Sequence, residues 1–428
     1  MAIPTERDLV RLGPWPQGAN NLSLATSVPR RSFRKGVNVD VTDDGKVVRR
    51  EGRTKIADGK MHSLFGVGHR GFFVEGSALY GFEADGERTT EPVMLYDGIA
   101  PDTTLAYTVV EPDIFVSDGR VSLRVEPDNS VSPWSVPTPL APSATPVADG
   151  SLEPGRYHIA VAFKAPTGEE GPLCPHVVVE VGENQHLNLQ FAQTVPGFRV
   201  VVYMTKPNGA ELLHVATLPP APSVNIHRHP LGRPAATLYT DPMPPARFAA
   251  TWNGRLLVAD SRFVTWSEPL HYGLTKSMYN YLEFAEPVTM LAAVDTAGGF
   301  FVGQKSRTMY IAGEDPADAS QVMAYPFGVV PGTMHMVPGA RLPMENTPAK
   351  PVPMWLASNG VFCVGLEDGT VHPLTEPRFA TQLAEQGAAL FDQRGGKSRF
   401  LATLRDPSPN NFAVTDSFTA EVVRPSDN

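Results

Sequence analysis

Phe72-Phe73-Val74-Glu75-Gly76-Ser77-Ala78-Leu79-Tyr80 is an apolar run, a short turn and a second run in which apolar residues alternate. That is the pattern of a β-hairpin, in which two strands share one turn and each shows a buried face every second residue. The phrase returns as Ile114-Phe115-Val116-Ser117-Asp118-Gly119-Arg120-Val121 and as Leu256-Leu257-Val258-Ala259-Asp260-Ser261-Arg262-Phe263. It returns again as Phe300-Phe301-Val302-Gly303, as Trp355-Leu356-Ala357-Ser358-Asn359-Gly360-Val361-Phe362, and in shorter form as Phe400-Leu401-Ala402. Six hairpins mark six similar units.

Successive copies start 42, 142, 44, 55 and 45 residues apart. A strand-built period of roughly 40–50 residues is that of β-propeller blades, each four short antiparallel strands that cannot bury both faces alone. The long interval holds one period and about 100 residues more, the size of a small β-sandwich. Proline clusters bound the extra stretch: Pro133, Pro137, Pro139, Pro142 and Pro146 on one side, Pro219, Pro220, Pro222, Pro242, Pro244 and Pro245 on the other. Proline cannot donate to a ladder, so such clusters punctuate sheets. The expected organisation is residues 1–135 as an N-terminal arm and the first part of a propeller, 136–241 as an inserted β-sandwich, and 242–428 as the rest of the propeller.

Inside the insert, Gly155 to Phe163 alternates cleanly and turns through Ala165 to Pro172, and strands are expected over His176 to Val181, Leu187 to Phe191, Phe198 to Met204 and Leu212 to Leu218. The Tyr157-x-Ile159-x-Val161-x-Phe163 strand before a Gly-Glu turn, with Phe198-Arg199-Val200-Val201-Val202-Tyr203, resembles a fibronectin type III module. The fold class expected is thus all-β, a six- or seven-bladed β-propeller with an inserted fibronectin type III-like β-sandwich. Composition agrees: 42 % of the 428 residues are hydrophobic, which excludes disorder as the main state, and 42 prolines with 37 glycines suit many short strands joined by turns. Helices are expected only over Glu376 to Phe391 and over Arg7 to Arg11. No run reaches the ~20 apolar residues that cross a bilayer, and the N-terminus lacks the apolar core of a signal peptide.

Few motifs suggest chemistry. Gly66-Val67-Gly68-His69-Arg70-Gly71 matches a dinucleotide-binding pattern but leads into a strand, where that pattern must open a helix, so a hairpin turn is expected. His227-Arg228-His229 offers two corners of a metal site without a nearby third, and reads as a surface loop. Glu314-Asp315-Pro316-Ala317-Asp318 and Asp43-Asp44-Gly45 lack the ligand spacing of calcium loops. Cys174 and Cys363 fall in different domains and read as buried thiols. No catalytic, cofactor-binding or metal set emerges.

Charge is more telling. The chain carries −9, yet residues 30–55 hold nine basic residues against four acids. Arg30, Arg31, Arg34, Lys35, Arg49 and Arg50 form the candidate partner interface, since clustered cations attract acidic surfaces and phosphates. The alternative is a solvated hairpin face over Val37 to Arg50, a hairpin expected to complete a blade with strands around Phe412 to Val423.

The same segment carries a resemblance. Trp15-Pro16-Gln17-Gly18-Ala19-Asn20-Asn21-Leu22, followed by Arg34 through Thr54 with its Asn38-Val39-Asp40 strand, acidic-Gly turn and Arg49-Arg50-x-Gly52 strand, is similar to the opening of tailed-bacteriophage virion proteins. Asn253 through Pro269 and Gly298 through Gly313 are similar too. The group resembled is the β-propeller tail nozzle or tail hub type, including packaged-DNA stabilisation proteins. The resemblance implies a non-enzymatic structural protein, made in the host cytoplasm and built into the virion tail as a homo-oligomeric ring, a hexamer being favoured. Its implied partners are other tail or head–tail connector proteins and the exiting DNA. Two rivals stay open: a receptor- or glycan-binding tail-tip protein using Tyr272, Tyr279 and Tyr281, and a glycan-degrading propeller using acids such as Glu75, Asp113, Asp118, Asp260 and Glu268.

Overall fold

In the computed structural model of the chain, four of the six phrases span the second and third strands of an antiparallel meander, Phe300 to Gly303 lies on the second strand of another, and the last lies on the middle strand of a three-stranded one. The structure describes residues 13–42, 44–50, 58–85, 88–101, 103–229, 232–294, 298–342, 344, 349–394, 397–405 and 419–423. These pack as two compact units, Lys60–Glu283 on the one hand and Met1–Gly59 with Phe284–Asn428 on the other.

In the Lys60–Glu283 unit, the first meander is Met61–Val67, Arg70–Glu75, Ala78–Asp85 and Val93–Asp97. The second is Ala106–Val110, Asp113–Ser117, Ser122–Val125 and Val131–Pro133. The third is Phe248–Trp252, Arg255–Asp260, Phe263–Trp266 and Tyr281–Glu283. All five residues of Asp113–Ser117 are buried, because both faces of the strand are covered. Ile114 and Val116 pack with Phe72, Val74 and Leu79 of the first meander. Phe115, pointing the other way, packs with Trp134, Leu256 and Val258 toward the third.

The other unit repeats this logic. Its meanders are Val288–Ala293 to Ser320–Tyr325, His335–Pro338 to Val371–Pro373, and the strands Gln386–Arg394, Lys397–Arg405 and Thr419–Val423. Trp355 and Cys363 pack with Phe301 and Tyr310 of the preceding sheet. Their neighbours Leu356, Phe362 and Val364 pack with Phe400 and Ala402 of the following one. Sheets stacked face to face in chain order are propeller blades. The chain is all-β and of the β-propeller class. Phe301 and Trp355 join one pair of sheets and Phe362 and Phe400 the next, so truncating Phe301, Phe362 or Trp355 to alanine removes about 3–5 kcal/mol.

Between the second and third meanders lies a different pair of sheets. Ser143–Leu152, Gln185–Gln190 and Ser223–Ile226 form one; Val177–Val181, Gly155–Lys164, Arg199–Met204 and Leu213–Leu218 form the other. They share a core that includes Tyr157, Ile159, Val161, Leu187, Leu189 and Val202.

Two sequence expectations are corrected. Glu376 to Phe391 is not a helix: the chain turns and runs irregularly to Glu385, then forms the strand Gln386–Arg394. That strand pairs along its whole length with Lys397–Arg405, from Gln386 opposite Arg405 to Arg394 opposite Lys397. A ladder of this length overrides the weak helix preference of its alanines. The alternation was present, with Gly387, Ala389 and Phe391 half-buried and Ala388 and Leu390 exposed. The hairpin near Val37 forms its own two-stranded sheet, Val39–Val41 with Val47–Arg49, while Thr419–Val423 pairs with Lys397–Arg405. The Arg7 to Arg11 stretch and Phe412 lie outside the described residues.

Candidate functional site

The segment from 13 to 50 is a strap laid on its own unit. Its first turn is fixed by the Trp15 N–H, which donates to the Gly45 carbonyl at 2.6 Å. Gly45 sits at φ 77°, and a Cβ there would lie 2.7 Å from the Pro16 nitrogen, so only glycine fits. Phe33 meets the Trp15 ring edge-on at 6.4 Å and bridges Ala19.

The Asn20-Asn21 pair then acquires a physical role. Buried Asn20 accepts the Ser23 N–H at 3.0 Å on its side-chain oxygen and closes a local turn. Asn21 uses both ends of its amide on one backbone unit: Nδ2 donates to the Ala380 carbonyl at 2.7 Å, and Oδ1 accepts the Ala380 N–H at 3.0 Å. Its own N–H donates to the Arg378 carbonyl at 3.0 Å. Asparagine alone among small side chains offers this paired donor and acceptor.

Asp40 is the second anchor. Its side chain is only 6 % exposed; Oδ1 accepts from Arg50 Nε at 2.9 Å and Oδ2 from Arg399 Nη2 at 3.2 Å. Arg399 lies on Lys397–Arg405, so the hairpin is tied by charge to the last sheet of the unit. Of the six cations singled out from sequence, Arg50 is therefore spent inside. Arg30, Arg31, Arg34, Lys35 and Arg49 are exposed, and Arg34 also donates through Nη1 to the Ser23 carbonyl at 3.0 Å.

A second surface lies in the Lys60–Glu283 unit. Register places Asp260 opposite Phe263, and Tyr281 opposite Thr265. Because alternate residues share a face, these four side chains project to the same side of the third meander. With Pro244, Pro245, Ser261 and Ser277 they line an open cleft of about 470 Å³. The Phe263 and Tyr281 rings stand 6.0 Å apart at 66° and are 40 % and 45 % exposed. Val258, at the base, belongs to the core shared with Phe115.

The loop carrying Ser277 and Tyr281 is held by Glu268, which accepts from Lys276 Nζ and from Asn280 Nδ2, each at 2.8 Å. Burial pushes the Glu268 carboxyl up, but these two hydrogen bonds together with the charges of Lys276 and Arg255 outweigh it and hold it below the ordinary glutamate range. Ser277 Oγ donates to Asp241. Of the three tyrosines singled out from sequence, Tyr279 is exposed and Tyr281 lines the cleft, while Tyr272 is drawn inward against Phe115 at 6.3 Å. Phe263 and Asp260 join the cleft only through register, a signal the sequence carries in the spacing of Asp260-x-x-Phe263-x-Thr265 once the hairpin turn at Ser261 is known.

Other candidates have local work. Gly68 and His69 form the turn between Met61–Val67 and Arg70–Glu75. His227 stacks on His186 at 4.3 Å and His229 on Tyr157 at 6.1 Å, so the two imidazoles face separate partners. Among the described residues no group of three or more His, Cys, Asp or Glu is placed to hold a metal ion. Asp113 pairs with Arg124 at 2.7 Å. Asp118 is pushed up by burial, yet ends below the ordinary aspartate range because the backbone N–H groups of Val121, Ala100 and Arg120 donate to it. Asp315 caps the short turn Pro316–Asp318. Cys174 and Cys363 are buried free thiols.

No family model matches this chain, and no curated protein matches it. Among solved structures, it is similar to BBS1N crystallised in complex with ARL6DN, with a TM-score of 0.34 at 10 % identity over 86 % of this chain and 94 % of that one. It is similar to Hsv2 of Kluyveromyces lactis, TM-score 0.30 at 7 % identity over 84 % and 96 %. The AfRom2 CNH domain gives TM-score 0.28 at 9 % identity over 85 % and 93 %. Likeness at this level has no bearing on what the chain binds or does.

Proposed function

We propose that this chain is a non-enzymatic structural component of a tailed-phage virion, one subunit of a tail ring of nozzle or hub type that helps close or line the DNA exit channel. The observation carrying this reading is the strap. Its resemblance-bearing residues are those that anchor it, Asn21 on Ala380 and Asp40 between Arg50 and Arg399. The cations between those anchors face outward. Charge held at the surface of a fixed element favours docking over internal stability, because exposed ion pairs contribute little to folding while complementary charge guides association. On this reading the propeller has six or seven blades, the paired sheets at 143–226 are an inserted fibronectin type III-like module, and a hexameric ring docks its straps on acidic faces of connector or tail neighbours.

The test combines virion composition with charge reversal. Mass spectrometry of purified particles should find the chain, and substituting Arg30, Arg31, Arg34 and Lys35 by glutamate should lower particle yield while the isolated protein keeps its melting temperature. Assembly in vitro should weaken as salt rises. Absence from particles ends the virion reading; normal yield from the four-fold variant ends the docking role of the strap.

A further inference from the structure

The cleft of Phe263 and Tyr281 is unused by a tail-ring role, and its chemistry is specific. Two aromatic rings at 66° present both a face and an edge to the same space. Ser261, Thr265, Ser277 and the Asp260 carboxylate line it, and no lysine or arginine does. Asp260 is half-exposed, with Arg247 Nε at 3.6 Å as its neighbour. Nearby in sequence, Arg262 pairs with Glu283 at 3.0 Å and Lys276 with Glu268 at 2.8 Å, while the Asp241 carboxylate accepts from the lining Ser277.

We propose that this cleft is a binding site for a neutral saccharide, with one pyranose ring stacked on the face of one of the two aromatics, Tyr281 or Phe263, against the edge of the other, and adjacent hydroxyls held by Asp260. A pyranose has apolar C–H faces that fit aromatic walls and hydroxyl pairs that suit the two oxygens of a carboxylate. A volume of about 470 Å³ accommodates one or two sugar rings. The lining carries an acid and no cation of its own, and the neighbouring Arg247 is held by that acid, so phosphate and acidic sugars are disfavoured. The aromatic walls remain exposed because Tyr281–Glu283 is the outermost strand of its meander. Glu268 fixes the loop behind it, so the site is formed before a ligand arrives. The proposal goes beyond the tail-ring reading and does not rest on it.

Saturation-transfer NMR on the full chain with lactose, maltose, cellobiose and chitobiose tests it, with a hyaluronan disaccharide as the acidic probe. At least one neutral disaccharide should receive saturation on its ring protons, and the acidic one should not. Tyr281→Ala, Phe263→Ala and Asp260→Asn should each weaken that binding more than about tenfold. Tyr279→Ala, which removes an exposed tyrosine outside the cleft lining, should leave it within about twofold. Asp260→Asn changes no volume, so it reports on the site even where an aromatic truncation disturbs the fold. Absence of transfer from all four neutral probes overturns the proposal, as does binding that survives Tyr281→Ala and Asp260→Asn or that favours the acidic disaccharide.

Discussion

Asp40 and Asp260 each lie beside arginine, and they serve opposite ends. Asp40 is almost fully covered and holds two guanidinium groups, one from its own hairpin and one from a strand 359 residues away. Asp260 is half-exposed and meets Arg247 only at 3.6 Å. The sequence shows the same residue types in both places. Burial decides which pair is structural and which stays available to a ligand, because removing a covered carboxylate takes a buried ion-pair partner from its cations, whereas an open one is screened by water.

The largest effect should follow from Asp40→Ala. Leaving Arg50 and Arg399, with side chains 17 % and 21 % exposed, without this carboxylate should cost about 3 kcal/mol. Asp260→Ala should change stability by no more than about 0.5 kcal/mol. Urea unfolding of the two variants side by side checks the contrast, and equal midpoints would break it.

Next comes Asn21→Ala, which removes both side-chain bonds to Ala380 while keeping the backbone bond to Arg378. A cost of about 1–2 kcal/mol is expected. It should be local: hydrogen exchange of Asn20, Asn21 and Phe33 should speed up, while Phe300 and Val302 stay protected. Uniform acceleration would show that the strap is part of the core.

Glu268→Gln sharpens the other side of the comparison. Its folded-state carboxyl is held below the ordinary glutamate value, so its contribution is present above that value and lost as pH falls through the lowered one. The wild-type chain should therefore be more stable than the variant by about 1 kcal/mol at neutral pH. The gap should close as pH falls from the ordinary glutamate value through the lowered one. Saccharide binding should weaken in the variant as the loop loosens. A gap that persists at low pH would place the effect in packing.

These contrasts also show what could be read from the chain alone. The hairpins were legible because both strands and their turn are contiguous: Gly76 and Ser77, Asp118 and Gly119, and Asn359 and Gly360 mark turns between apolar runs. Ser143–Leu152 was not legible. It has one buried residue, Leu152, and no clean alternation of apolar and polar positions; it contains Pro146 and carries a bulge between Ala148 and Leu152. Its partner, Gln185–Gln190, is distant in sequence, and Pro146 is tolerated because the strand is at a sheet edge. The cations of the strap were visible as a run, but Arg50 turned out to be internal because its partner Asp40 also binds Arg399, a long-range fact. Tyr281 was visible as an aromatic; the cleft was not, since it exists only through cross-strand register.

The smallest perturbation uses the two thiols, one in each compact unit. Burial pushes Cys363 up from 9.0 to about 12, and burial likewise raises Cys174, in that case against the backbone N–H of Val161. A folded value above the unfolded one means the neutral thiol contributes fully below pH 9 and its contribution is lost as pH rises toward 12. At pH 8 a disulfide-exchange reagent should therefore label neither cysteine in the folded chain and both in urea. In Asp40→Ala, Cys363 should become reactive at lower urea, because it shares a unit with the missing carboxylate. Cys174 should shift less. Equal shifts at both cysteines would mean that loss of Asp40 is felt throughout the chain, and the contrast between a local anchor and an open site would have to be redrawn.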